Sequence, residues 1–243
     1  MKNCTFFSDK VEYLGHVSRP GRLEVDGTNT ASLRNAKPPT SKTELRSFLG
    51  FCNVYRRFIQ EFTKLAHPLS RLLKKGEPDK FELDNEQQES FQKFIEAVCA
   101  PPVLALPKRG LPYSVDTDAC DYGIVCTLFQ TYPDGGRKPI GFWSRTLDAA
   151  EKKYSASERE CLAVVWALKT LRPYLMFEEF VVHSDHHSLR WLFNIVEPSG
   201  RLTRWRLLLA ELNFKVAYKK RPDNHHADAL SRLLSGSPTI HEN

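Results

Sequence analysis

The sequence predicts a mixed α/β fold, a sheet with helices on its faces, on three observations. Residues 113–130 alternate apolar and polar side chains at period two around a glycine-containing turn, which is a hairpin pattern. Residues 157–171 carry Leu162, Val165, Trp166 and Leu168 at helical spacing. Two further β-rich runs, 180–184 and 214–218, then alternate with helical patterns at 187–193, 202–212 and 227–234.

Taken in order, residues 1–40 hold one strand-like patch at 11–17, followed by Pro20, Gly21, Gly27, Pro38 and Pro39, which break regular structure. This strand-and-loop segment is expected to be the least stable part of the chain. From Ser41 the period changes. Ser41-Lys-Thr-Glu44 is a capping box, and Leu45, Phe48, Leu49, Cys52, Tyr55, Ile59 and Phe62 recur at three- and four-residue spacing. The other face carries Lys42, Arg46, Arg56 and Arg57, either a solvated flank or a cationic surface for a phosphate backbone. His67-Pro68 reads as the end of that helix, and Leu69, Leu72 and Leu73 as a short second one closed by Lys74-Lys75-Gly76. A third helix is predicted over 85–99, burying Phe91, Phe94, Ile95 and Val98. Pro101-Pro102 then marks a boundary. The predicted organisation is a strand and loop segment at 1–40, a helical segment at 41–102, the α/β domain at 103–234 and a tail at 235–243. Within the domain, strands are predicted at 113–119, 123–130 and 139–144, with Pro133-Asp134-Gly135-Gly136 turning the second hairpin.

Composition narrows the function classes. With 243 residues and 41% hydrophobic content the chain can bury a core. Lys and Arg outnumber Asp and Glu by 35 to 29, which favours a polyanionic partner. The six cysteines (Cys4, Cys52, Cys99, Cys120, Cys126, Cys161) form no CxxC pair and several sit in apolar runs, as reduced thiols of an intracellular protein do. No run approaches the roughly 18 apolar residues of a membrane span, and no apolar signal core opens the chain, so a membrane partner is not expected.

Carboxylates carry the chemistry. Asp116 and Asp118 lie inside the first predicted strand, where acids are depleted, and period two sends both from one sheet face roughly 7 Å apart. Glu160, Asp185 and Asp228 fall at a helix start, a strand end and a late helix. Each has a structural alternative. Asp118 could cap a turn, Glu160 completes Ser157-Glu-Arg-Glu160 as a capping box, Asp185 could be an N-cap, and Asp228 suits a helix dipole. Together they occupy places from which side chains can meet at one sheet edge. Gathered carboxylates repel one another unless cations hold them, and an oxygen-only set points to Mg²⁺ or Mn²⁺. Two such ions about 3.5 to 4 Å apart activate a water and stabilise the leaving oxygen in phosphodiester hydrolysis.

An ordered series of motifs then resembles a known family. It comprises Thr117-Asp118-Ala119-Cys120 with Gly123 and Gln130, and Phe142-Trp143-Ser144-Arg145-Thr146-Leu147. Tyr154-Ser155 with Glu160 through Val165 follows, then Ser184-Asp185-His186 with Ser188-Leu189, and Asn224 with Ala227 to Arg232. These are similar to the ribonuclease H domain of gypsy-type LTR-retrotransposon reverse transcriptases. Upstream, Tyr13-Leu14-Gly15-His16, Pro38-Pro39, Leu45 to Phe51, Tyr55 to Ile59 and Pro68-Leu69 resemble the palm end, thumb and connection of the same enzymes. The resemblance implies an RNase H-like mixed five-stranded sheet with flanking helices, preceded by a mainly helical thumb and connection segment. It assigns two Mg²⁺ ions, with Mn²⁺ as substitute, to Asp118, Glu160, Asp185 and Asp228, and it prefers Asp118 over Asp116. The fingers and most of the palm, with the Tyr-x-Asp-Asp polymerase motif, are expected ahead of Met1. This chain holds no such motif. Three departures from the family pattern, Val54, Val125 and Arg221, bear on packing and one loop.

The expected partner is an RNA/DNA hybrid, read through groove width, backbone and 2′-hydroxyls, cut to leave a 3′-hydroxyl and a 5′-phosphate. Arg201 and Arg204 are candidate phosphate contacts, and His186 and His225 candidate substrate contacts. The missing fingers and palm of a polymerase are a further expected partner. Two rivals stand beside this reading. One is a non-catalytic nucleic-acid-binding or structural remnant. The other is an integrase-like nuclease, which would bring a zinc-binding His/Cys set that is not seen here.

Overall fold

The computed structural model describes residues 8–184, 189, 192, 194–196 and 198–218. Among the described residues the strands form two sheets. The larger contains β5 (Tyr113–Ala119), β6 (Gly123–Thr131), β7 (Arg137–Thr146), β8 (Phe180–Ser184) and β9 (Phe214–Tyr218), in the order β7-β6-β5-β8-β9. β5, β6 and β7 pair antiparallel, whereas β8 and β9 join parallel, and that junction makes the sheet mixed. Parallel neighbours require crossovers. One is supplied by helix α5 (Ala156–Leu175), which carries the chain from β7 to β8 across the sheet. Its core is built from Val115, Ile124, Cys126 and Leu128 of the sheet against Cys161, Val164, Leu168 and Leu171 of α5, all at most 1% exposed. Helix α6 (Gly200–Ala210) adds Leu202, Trp205 and Leu209 to the same core. The predicted helix at 227–234 and the start of the one at 187–193 lie outside the described residues.

The N-terminal part is more ordered in topology than the sequence pattern suggested. The single strand read at 11–17 is two, β1 (Val11–Tyr13) and β2 (His16–Arg19), because Leu14 and Gly15 adopt φ of 49° and 79° and turn the chain between them. Such a turn demands left-handed backbone, which glycine enters at no steric cost. With β3 (Arg22–Val25) and β4 (Leu104–Ala105) they make a four-stranded antiparallel sheet, so residues just after Pro101-Pro102 pair back onto the segment before the helices. Among the described residues a short helix, α1 (Gly27–Ala31), follows β3.

The helical segment contains α2 (Lys42–Val54), α3 (Phe62–Arg71) and α4 (Asn85–Cys99). Ser41 caps α2 through the Glu44 N–H, as predicted, while the Glu44 carboxylate accepts from Thr40. The predicted continuous helix from Leu45 to Phe62 does not form. It breaks after Val54 into a 3-10 turn, Arg56–Phe58, and Glu61 enters the left-handed region at φ 55° before α3 begins. Pro68 therefore lies inside α3 and does not end a helix, leaving the Lys64 carbonyl without its usual helical donor. Tertiary contact explains the break. Phe58 is 1% exposed in a small cluster with Leu104 and Phe142, and a continuous helix would not deliver it there.

The cationic face predicted for this helix is largely consumed by contacts within the protein. Arg56 donates to the Ser144 carbonyl at 2.7 Å, and Arg57 donates to the Tyr174 hydroxyl at 2.8 Å while lying over the Trp143 ring. Lys42 donates to the Glu77 carbonyl at 2.6 Å. Arg46 is exposed.

Candidate active site

Asp118 sits near the end of β5, a strand paired on both sides, to β6 and to β8. Its neighbour Asp116 shares the strand but not the environment. Asp116 accepts from Arg137 at 2.6 Å and pairs with Nδ1 of His183 at 2.9 Å, and its side chain is 16% exposed. The Asp118 carboxylate, 35% exposed, lies further along the strand with Lys64 of α3 at 2.9 Å. The two acids that period two leaves equivalent are thus separated by their partners: one is fixed in a cross-sheet network, and the other faces the junction with the helical segment. Val125 stands directly across from Asp118 in the β5–β6 ladder. The departure read as a packing matter is therefore a next-door neighbour of the candidate ligand.

Glu160 projects from α5 and is 4% exposed. The capping box that the sequence offered it belongs to another pair. Ser155 is the N-cap, accepting from the Glu158 N–H while the Glu158 carboxylate accepts from the Ser155 N–H at 2.9 Å, so the cap sits two residues earlier than Ser157 and the helix begins at Ala156. Glu160 lies one turn in, where helix periodicity turns it away from the cap and into the protein. A buried carboxylate at such a position is a stability liability unless it is partnered or holds a cation.

Around these acids the helix start is braced. Arg201 of α6 ion-pairs with Glu158 and lies over the Tyr154 ring, 3.9 Å from its centroid. Arg204, next on the same helix, is exposed and donates to the Gly200 carbonyl at 3.1 Å. Arg159 reaches Asp121 in the β5–β6 turn at 2.7 Å. Asp185, Asp228, His186 and His225 lie outside the described residues, and among the described residues no group of three or more His, Cys, Asp or Glu side chains is gathered to hold a metal.

The charge states follow from these contacts. Burial disfavours the Lys64 ammonium, but its hydrogen bonds to Glu61 and Asp118 outweigh that and raise its pKa above the ordinary lysine value. Burial pushes Glu158 up, and the Ser155 N–H and hydroxyl together with Arg201 more than reverse it, leaving the carboxyl below the ordinary 4.5. Glu151 is lowered too, chiefly by its hydrogen bond from Arg145. A carboxylate depressed by folding stabilises the protein fully above its unfolded pKa and loses that contribution as pH falls through its folded one. Acid unfolding followed by circular dichroism is therefore expected to steepen below pH 4.5, with a shallower slope in Glu158→Gln, which keeps a capping side chain but cannot titrate. An unchanged slope in the variant would show that Glu158 is not one of the groups responsible.

Lys64 was not foreseen from sequence. It is 54 residues from Asp118, and within its own helix it reads as an ordinary solvated lysine.

Residues 108–212 match the RNase H-like domain found in reverse transcriptase. The chain is 36% identical over 236 residues to the retrovirus-related Pol polyprotein from transposon 297 of Drosophila melanogaster, an alignment covering 96% of this chain and 21% of that one. It is 34% identical over 242 residues to the transposon Tf2-3 polyprotein of Schizosaccharomyces pombe, covering 98% and 18%. The chain thus spans about a fifth of the length of these relatives. Among solved structures, the foamy viral protease-reverse transcriptase dRH in complex with dsDNA superposes with a TM-score of 0.71 at 21% identity, over 89% of this chain and 38% of that one. The same foamy viral enzyme in complex with an RNA/DNA hybrid gives 0.69 at 20% identity, over 97% and 32%. These likenesses establish the fold, an RNase H-like sheet preceded by helices.

Proposed function

The chain belongs to the RNase H region of the Pol proteins of gypsy-type LTR retrotransposons, and from that footing we propose that it hydrolyses the RNA strand of RNA/DNA hybrids with the help of divalent metal ions. The observation that carries the reading is the placement of two acids within the matched domain. Asp118 stands on the central strand, paired to β6 just beyond the point where β8 leaves it, and Glu160 lies buried in the helix packed across that strand. The donor chemistry fits a hard cation, since both offer carboxylate oxygen. Asp118, Glu160, Asp185 and Asp228 would hold a pair of Mg²⁺ ions, with Mn²⁺ as substitute. Such a pair, when bound, supplies an activated water and stabilises the departing oxygen.

The chain's own residues do the positioning. Pairing of Asp118 to Val125 of β6, just past the end of the β5–β8 ladder at Asp116, fixes its backbone, and the core packing of α5 fixes Glu160. Arg201 steadies the start of α5 through Glu158, which leaves Arg204 the more accessible of the two arginines for a substrate phosphate. His186 and His225 are proposed substrate contacts on the resemblance alone. A foamy viral enzyme of the same fold in complex with an RNA/DNA hybrid supports that substrate class, and the excess of basic residues suits any polyanion. The fingers and palm of a polymerase are the proposed protein partner.

Cleavage of a labelled RNA/DNA hybrid in Mg²⁺, Mn²⁺ or EDTA, beside RNA/RNA and DNA/DNA duplexes, tests the reading. Hybrid-selective cutting that EDTA abolishes is expected. Folded protein that binds hybrid yet cuts it in neither metal would overturn the assignment in favour of a non-catalytic binding module.

A further inference from the structure

Lys64 sits where a loose surface lysine would not. Its ammonium is 2.9 Å from Oδ2 of Asp118 and 2.5 Å from Oε1 of Glu61, with side chains 27%, 35% and 28% exposed. The helix that carries it is pinned on both sides of it. Just before it, the Thr63 N–H and hydroxyl both donate to Oγ of Ser144, at 3.2 and 2.8 Å. Just after it, the His67 ring stacks on Tyr122 in the β5–β6 turn at 4.0 Å and 14°. A Cβ added to Gly123 would come within 2.9 Å of the Thr63 methyl, so α3 presses directly on the start of β6. Glu61 itself holds left-handed backbone, a region that residues other than glycine keep only when their surroundings impose it.

We propose that Lys64 is a tethered cation of the metal centre: docked from α3 onto Asp118, it occupies the carboxylate that a divalent ion must take and so weakens the binding of that ion. The inference rests on the reading of Asp118 as a metal ligand. Mg²⁺ binds carboxylate oxygen at about 2.0 to 2.1 Å. An ammonium at hydrogen-bond distance from the same carboxylate would then stand within a few ångströms of a doubly charged ion, and like charges that close repel. Lys64 has somewhere to go. Glu61 already holds the same nitrogen, so a small rotation of the side chain leaves Asp118 to the ion and keeps the ammonium paired. Metal entry is therefore an exchange of one cation for another, and the helical segment that presents Lys64 sets its difficulty.

Mn²⁺ binding to the full chain without nucleic acid, measured by titration calorimetry and by the loss of the free-ion electron paramagnetic resonance signal, tests this. Lys64→Met and Lys64→Gln, two neutral side chains of different polarity, are each expected to bind Mn²⁺ roughly tenfold more tightly than wild type, the effect of removing a neighbouring charge. Lys64→Arg, which keeps the charge, is expected to stay near wild type. Neutral variants that bind no more tightly, with Asp118→Asn still abolishing binding, would overturn the proposal and leave the metal centre standing. If wild type binds no Mn²⁺, or Asp118→Asn binds it equally well, the assignment of Asp118 as ligand fails and this proposal with it. Circular dichroism of each variant confirms the fold.

Discussion

Asp118→Asn is expected to lower the single-turnover rate of RNA cleavage in a hybrid on the order of 10³-fold, the size of loss that follows removal of one preorganised charge-stabilising group from an active site. The substitution keeps the shape and one acceptor oxygen while turning the other into an N–H donor, so packing in β5 should survive. It does remove the negative partner of Lys64. That pair is partly exposed, and such pairs contribute less than about 1 kcal/mol, so unfolding in urea should move little. Hybrid affinity is expected to hold, since the phosphate contact proposed for Arg204 does not involve Asp118. Asp116→Asn is the internal control. Its carboxylate is committed to Arg137 and His183, so its loss should show in stability and leave cleavage within about threefold of wild type. Equal loss of cleavage in both variants, or none in either, would remove Asp118 from its assigned place.

The control exploits the point at which sequence alone stopped. Period two places Asp116 and Asp118 on one face and cannot rank them, because it knows nothing of which side chains arrive from other elements. Arg137 and His183 reach Asp116 from two other strands, 21 and 67 residues away in sequence, and only the folded sheet brings them there. Where information was local, reading was accurate. The strands 113–119, 180–184 and 214–218 and the helix 85–99 all appear with the boundaries their alternation and apolar spacing predict. The errors have two causes, one distant and one local. Helical spacing from Leu45 to Phe62 was sound residue by residue, yet the chain gives up the helix near Tyr55 because Arg56, Arg57 and Phe58 each find a distant partner. Glu160 was offered a cap by its spacing and lost it to Glu158, since Ser155 two residues upstream made the better start. Asp118 and Glu160 were legible as candidates, but the lysine docked on Asp118 was not.

Phe58→Ala should be among the most damaging single substitutions in the chain. The ring is 1% exposed and fills a cluster in which Leu104 and Phe142 are the other buried members, with Leu23 and Val25 packed against it and the His16 ring stacked on it at 5.4 Å. Those residues come from β2, β3, β4 and β7, so this one side chain joins the N-terminal sheet to the edge of the larger one. Removing a buried Phe side chain costs about 3 to 5 kcal/mol, and the upper part of that range applies where the walls cannot close on the cavity. Here the walls are backbone-paired strands of two sheets, which have little room to move. The loss should also reach the candidate active site. Phe58 anchors the turn from which α3 departs, and α3 carries Thr63 and Lys64 to Ser144 and Asp118. Urea unfolding is expected to shift by that amount, and amide exchange in α3 to quicken before exchange in α5 does. A cost below about 1 kcal/mol would mean that the turn is not the tie between the two sheets. Faster exchange in α5 first would mean that the cluster supports the larger core and not the helix that presents Lys64.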